Sequence, residues 1–314
     1  MRRAFQARLL SVDPRARRVL RVRVERLGGY MNRSWRLRYT LTLLLRSGRR
    51  RQRILRGSSE LQDETRRQAY VIMKFLWRHG FDTGPLQIAR PVTFFWRWKL
   101  LVYEQVAGAT LASLLRRQPE RVDRHLEAVA KWLVRLHHHS PRTIRLVYNS
   151  AGRAQYWRSA LDILRGPDSV AVAGLQQTIE RVMRFEHALA RSRRRVLVHH
   201  DFHPGNILIT PRSLRVVDFA ESRLSHPLID VAAFFVQLEL QAGSTVPTTT
   251  VVRWQQHFLA AYHGGAPNVR LTGALAERLF RFVRFRVALQ SYLGVYLLGR
   301  PYSPLRQAIL AGVW

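Results

Sequence analysis

The sequence predicts an α+β chain of two lobes: a small antiparallel-sheet lobe with one main helix, then a larger, mainly helical lobe. Three observations predict it. Apolar and charged residues alternate over much of the first hundred positions, the alternation stops near residue 106, and most later segments place apolar residues at helical spacing. The lobes are therefore drawn at residues 1–106 and 107–314.

The elements follow in order. "RVLRVRVERL" (18–27) has the period of a half-buried strand, and "GGYMN" follows it as a turn. "SWRLRYTLTLLLR" (34–46), the turn "SGRR" and "RQRILR" (51–56) complete a three-stranded meander. In "LQDETRRQAYVIMKFLWRHG" (61–80), Ala69, Ile72, Met73 and Leu76 share one helical face, and Gly80 supplies the stop. "ARPVTFFWRWKLLVYEQV" (89–106) gives two more strands about a tight turn. Past "AGAT" (107–110), "LASLLRR", "HLEAVAKWLVRLHHH", residues 169–192, "PLIDVAAFFVQLEL" and "AERLFRFVRFRVALQSYL" read as helices. Among them "NILIT" and "LRVVDF" make two short strands around "PRS".

Composition narrows the chemistry. At 314 residues and 47% apolar, with no low-complexity tract, the chain can bury a core, and a folded chain is expected. It has no cysteine, which excludes disulfides, thiolate catalysis and cysteine zinc sites. Lys+Arg is 53 against 20 Asp+Glu, a net charge of +33, with lysine only at Lys74, Lys99 and Lys131. That charge admits a nucleic acid or an anionic membrane surface as partner, while the dispersal of the arginines equally fits solvated faces. "MRRAFQARLLSV" is basic but lacks the apolar core of a secretory signal, and no membrane-length apolar run exists, so a cytoplasmic location is expected.

The densest chemistry lies in "LVHHDFHPGN" (197–206). On a helix, His199 and His203 would face one zinc ion, but Pro204, Gly205 and the flanking β-branched runs rule out that helix. No G-x-S-x-G elbow is present for a hydrolase. Asp201, Asn206 and Asp218 together suit another reaction. Transfer of a phosphoryl group needs a carboxylate to orient a hydroxyl and accept its proton, and hard oxygen ligands to hold Mg²⁺ against ATP phosphates. A tight hairpin between Asn206 and Asp218 would bring an amide and a carboxylate to one edge.

"LVHHDFHPGNILI" followed by "RVVDFAE" resembles the aminoglycoside phosphotransferase and choline kinase-like group, which has a protein kinase-like fold. "AVAKWLVRLHHH", with Leu136 and His137, "SHPLIDVAAFF" and "LVYEQVAGATL" resemble further segments of that group, and the likeness covers most of the chain. The resemblance implies a nucleotide-binding lobe over 1–106 and a catalytic and substrate-binding lobe over 107–314. It implies Asp201 as catalytic base, Asn206 and Asp218 as Mg²⁺ ligands, and ATP as donor to a hydroxyl of a small molecule. Gly28 and Gly29 resemble the loop covering the nucleotide, and Glu104 to Val106 the hinge whose backbone meets the adenine. Asp230 resembles a buried anchor, and His199 a scaffold of the loop.

Two departures stand out. Arg56 occupies the place of the phosphate-clamping lysine, and its helical partner is either Glu64 or Gln68. His200 replaces the glycine usual before the catalytic aspartate. After Asp230 the chain has only Glu239 and Glu277 as acids, which favours a neutral or anionic acceptor over a cationic one. A nucleotide-binding pseudokinase and a polyanion-binding protein built on the same fold are the alternative readings.

Overall fold

The computed structural model describes residues 1–30, 34–60, 64–139, 157–158, 162, 169–243, 245–266 and 273–298. The chain divides into two compact units, Met1–Leu111 with Gly205–Ser222, and Ala112–Pro204 with Arg223–Trp314.

The first unit is built on a five-stranded antiparallel sheet. Two short helices, α1 (Arg2–Ala7) and α2 (Leu9–Val12), precede β1 (Ala16–Tyr30), β2 (Ser34–Leu45) and β3 (Arg50–Glu60). The helix α3 (Thr65–Leu76), β4 (Leu86–Ile88), β5 (Pro91–Phe95) and β6 (Leu100–Glu104) follow, and the strand order is β1-β2-β3-β6-β5. The alternating pattern sends Tyr39, Leu41, Leu43 and Leu55 to one face of the sheet. Phe5, Leu9 and Val12 cover that face, with Phe5 edge-on to Tyr39 and Phe95. The basic N-terminus is thus part of the core, and only the spacing of its three apolar residues could have foretold it. In α3 the predicted face Ala69, Ile72, Met73 and Leu76 is buried, each large side chain contributing about 1.5–3 kcal/mol. The helix breaks down across Trp77–Phe81, where Gly80 takes φ +95.

Below this sheet in chain order, β7 (Ala109–Thr110), β9 (Ile207–Ile209) and β10 (Leu214–Val216) join β4 in a small sheet ordered β4-β10-β9-β7. Gly108 makes it possible: a Cβ there would lie 2.4 Å from the Ile209 carbonyl oxygen. β4 and β7 are too short to leave a periodic signal, and neither is legible in the sequence.

The second unit is mainly helical. It contains most of α4 (Leu111–Arg117), then α5 (Asp123–His138), α6 (Ser169–Ala190), β8 (Val196–Val198), β11 (Arg223–Ser225), α7 (Leu228–Ala242), α8 (Thr248–Gly265) and α9 (Ala274–Leu298). β8 and β11 pair as a two-stranded ribbon. The run Leu228–Val236 is buried on every side, as a helix apolar all round must be. Phe234 stacks on Phe258 of α8 at 4.9 Å. Among the described residues, no helix is long and apolar enough to cross a membrane.

Candidate active site

In the first unit, the β9–β10 hairpin gathers two of the predicted residues. Its turn is closed by Thr210, whose N–H donates to the Ser213 carbonyl at 2.9 Å and whose hydroxyl accepts from the Ser213 N–H at 2.9 Å. The register pairs Ile207 with Val216, and the Val217 N–H donates to the Asn206 carbonyl at 3.0 Å. Asn206 and Asp218 therefore emerge at the same end, the edge expected for two oxygen ligands. Asp218 takes φ +64 and turns the chain into a short helical turn, Phe219–Glu221, anchored by the buried Phe219. Its side chain is 37% exposed, and Arg66 of α3 lies 3.5 Å away. An outward carboxylate with a neighbouring amide fits Mg²⁺, which takes few protein oxygens and completes its shell with phosphates and water. No cluster of three or more His, Asp or Glu side chains able to hold a metal occurs among the described residues.

Arg56 lies opposite Tyr103 across β3 and β6. Burial pushes the Tyr103 phenol up to about 12; Asp218 adds to the rise, while Arg56, Arg66 and Arg36 oppose it. Tyr103 thus stands electrostatically among Arg56, Arg66 and Asp218, a position that only the strand register shows. Neither candidate partner of Arg56 serves it. Glu64 is 3.3 Å from Lys99 and 3.9 Å from Arg67, and Gln68 donates to the Ser222 carbonyl at 2.6 Å. Gln68 instead ties α3 to the segment after Asp218.

Gly28 and Gly29 pair with Arg36 and Trp35 as part of β1, which runs on to Tyr30. The expected turn thus begins later, and residues 31–33 lie outside the described residues. Glu104 spends its N–H on the Arg90 carbonyl, 2.9 Å, and its carboxylate on Arg53 and Arg90. Gln105 donates to Ile54 at 3.2 Å. Val106 is the first hinge residue beyond these bonds.

In the second unit, Asp230 near the start of α7 is fully buried. Its carboxylate accepts the His199 N–H at 2.8 Å and the His200 N–H at 2.6 Å. His137 of α5 approaches it through Nε2 at 3.1 Å, with the Tyr262 hydroxyl 2.8 Å from Nδ1. One carboxylate therefore fixes the backbone immediately before Asp201. Phe202 packs from the other side, stacked on Trp132 at 5.6 Å. This is the anchor that "SHPLIDVAAFF" suggests, and its partner His137 comes from the Leu-His segment.

Asp201 itself is 36% exposed, with His203 Nε2 3.6 Å from its Oδ2. Partial burial pushes its carboxyl up. The hydrogen bond and charge of His203, with Arg286 and His199 behind it, outweigh burial and hold the group well below the usual carboxylate range. Asp201 is therefore ionised throughout the neutral range.

His200 takes φ +66, the backbone region that favours glycine. That explains why glycine is usual at this place and why its replacement carries a cost of about 1–2 kcal/mol. The side chain is held firmly in return. Arg286 of α9 lies 2.7 Å from its Nδ1, and Arg223 of β11 lies 2.7 Å from Nδ1 and 2.6 Å from Nε2. Glu186 of α6 lies 3.5 Å from Arg223 and accepts the Trp157 indole N–H at 3.3 Å. The departure at His200 is visible in the sequence, but these partners, which lie far along the chain, are not.

His226, just before α7, is buried and accepts the Leu228 N–H at 3.4 Å. Burial, helped by Arg194 and His137, lowers it to about 4. The folded state thus keeps it neutral while the unfolded chain protonates below about 6.5, so stability is full above that pH and falls as pH drops toward 4. The expected loss is about 3 kcal/mol, measured by urea midpoints at pH 7.5 and 4.5. His226→Gln should flatten this pH dependence.

The model of a family described as "Phosphotransferase enzyme family" matches residues 24–281. No curated protein matches the chain by sequence. Among solved structures, amicoumacin kinase hAmiN in complex with AMP-PNP, Ca²⁺ and Ami superposes with a TM-score of 0.64 at 16% identity, covering 100% of this chain and 94% of that one. A choline kinase from Cryptosporidium parvum gives 0.57 at 12% identity, covering 93% and 88%. An ethanolamine kinase of Plasmodium vivax gives 0.56 at 15% identity, covering 99% and 87%. At these identities the likeness shows the fold, which is protein kinase-like and α+β as expected.

Proposed function

Because the chain belongs to the phosphotransferase enzyme family, we propose that it uses ATP and Mg²⁺ to phosphorylate a hydroxyl of a small molecule. The observation that carries this reading is the emergence of Asn206 and Asp218 at one end of the β9–β10 hairpin, just downstream of Asp201 in sequence. The Asp201 carboxylate orients the acceptor hydroxyl and takes its proton. A depressed pKa makes it a weak base, which is enough: the transition state is loose, and positioning matters more than basicity. Asn206 Oδ1 and a carboxylate oxygen of Asp218 would hold the metal, which when bound neutralises charge on the transferring phosphates. Arg56 clamps phosphate oxygens, with the protonated Tyr103 beside it. Gly28 and Gly29 lead into the turn over the nucleotide, and Val106 with the Glu104 carbonyl supplies the backbone edge for adenine. Residues 1–106 supply the nucleotide lobe and 107–314 the catalytic and substrate lobe in this reading, with the Gly205–Ser222 segment of the latter packed into the first compact unit, and the chain works in the cytoplasm.

The acceptor is neutral or anionic. Both acids that follow Asp230 in sequence are engaged: Glu239 by Arg284 at 3.0 Å and Gln255 at 2.8 Å, Glu277 by Arg281 at 3.9 Å. Each already faces an arginine, which disfavours a cationic substrate at these two positions.

One observation favours a second reading, a nucleotide-binding pseudokinase: Glu64 and Gln68 are both committed away from Arg56. Asp218→Asn separates the two. An active enzyme should lose at least about 100-fold in Mg²⁺-dependent transfer. A pseudokinase should show nucleotide-dependent thermal stabilisation and no transfer in either protein.

A further inference from the structure

Two concave basins in the first unit are walled mainly by arginine. One, of about 670 Å³, is lined by Arg15, Arg46, Arg49, Arg50 and Arg51 around the β2–β3 turn. The other, of about 550 Å³, is lined by Arg2, Arg3, Arg17 and Arg18 where α1 meets β1. They flank the beginning of β1 on either side of Ala16, so nine guanidiniums border one short stretch of chain.

Little nearby offsets this charge. Residues 1–51 hold sixteen arginines and two acids, Asp13 and Glu25. Glu25 is paired with Arg38 at 3.1 Å. Asp13 is buried and turned inward, accepting the Arg15 N–H at 3.0 Å and holding Arg51 at 3.3 Å and Arg53 at 3.2 Å. It therefore pins two elements of the first basin without offering a carboxylate to solvent. Arg51 is held in place by this pair, and the other eight basin arginines are exposed, where their guanidiniums can meet oxyanions bidentately.

The basins are also remote from the nucleotide turn. Gly28 lies twelve residues along β1 from Ala16, roughly 40 Å at strand rise. The phosphotransfer reading does not use them.

We propose that these basins form a docking surface for a single strand of nucleic acid, with phosphodiester groups seated against the nine arginines. Shape favours a strand. A bilayer is flat and meets convex patches, whereas a flexible polyanion can follow two hollows that flank one edge strand. β1 is at the edge of its sheet, and Gln6 of α1 covers that edge at Val19, where its side-chain oxygen accepts the N–H at 2.8 Å, so the strand would run along the arginines to either side of this contact.

The test is fluorescence anisotropy of the full chain with a labelled single-stranded RNA over a salt series. Two variants are compared. One carries Arg3→Gln, Arg17→Gln, Arg46→Gln and Arg49→Gln. The other carries the same change at four exposed arginines elsewhere, Arg116, Arg117, Arg212 and Arg253. Wild-type protein should bind at 150 mM salt. The first variant should bind at least tenfold more weakly, with the slope of log K against log salt reduced by about 3; the second should change less than about threefold. Equal weakening in both variants would mean diffuse charge and overturn the proposal. So would absence of wild-type binding at that salt, or loss of binding to phosphatidylserine vesicles in the first variant with RNA binding unchanged.

Discussion

Asp201→Asn is expected to lower phosphoryl transfer by about 10²- to 10⁴-fold, the range that a positioned acid–base group supplies. The substitution keeps the size of the side chain and the fold of its loop, because the backbone before it is held by Asp230 and not by Asp201. It removes the charge that orients a hydroxyl and accepts its proton. Nucleotide affinity should change by less than about threefold, since the expected ligands of the nucleotide are other residues. Steady-state kcat together with nucleotide binding by calorimetry separates the two effects. Undiminished kcat would remove Asp201 from the mechanism.

Asp230→Ala is expected to destabilise the protein by roughly 3–5 kcal/mol. The carboxylate is fully buried and satisfies two backbone N–H groups and the ring of His137 at once. Removing it strands all three donors away from water, which is more costly than losing a surface ion pair. The same change frees the backbone of His199 and His200, so activity should fall even where the protein remains folded. Asp230→Asn should recover only part of the loss, because its amide brings a donor to face a donor. Urea unfolding of the three proteins measures the first effect. A loss below about 1 kcal/mol for the alanine variant would mean that the loop is held by something else.

Much of the fold was legible because it rests on local periodicity. The three-stranded meander, α3 with its buried face and the strong helices after residue 106 each carry a long pattern of period two or near 3.6. Some short elements were not legible. β4, β7 and β11 are two or three residues long, and they exist through partners distant in sequence, such as β4 beside β10. The N-terminal helices were hidden by their arginines, though Phe5, Leu9 and Val12 do the packing.

The candidate site divides in the same way. Asp201, Asn206 and Asp218 are close enough in sequence for spacing to join them, and the hairpin that aligns the last two could be foreseen from "PRS". Tyr103 beside Arg56 depends on the register of β3 and β6. The cluster of Arg223, Arg286 and Glu186 around His200 joins three elements far apart in the chain. His200 itself was visible as an oddity. Its φ of +66 gives the physical reason: the position suits glycine, and a histidine persists there with its ring contacted by two arginines.

The central claim is transfer of phosphate from ATP to a hydroxyl. The most direct measurement is ³¹P NMR of the purified protein with ATP, Mg²⁺ and a panel of neutral and anionic hydroxyl compounds. A new phosphomonoester resonance should appear with one of them, accumulating in step with ADP and absent when Mg²⁺ is chelated. ATP left intact across the panel, while the nucleotide still raises the melting temperature, would contradict it.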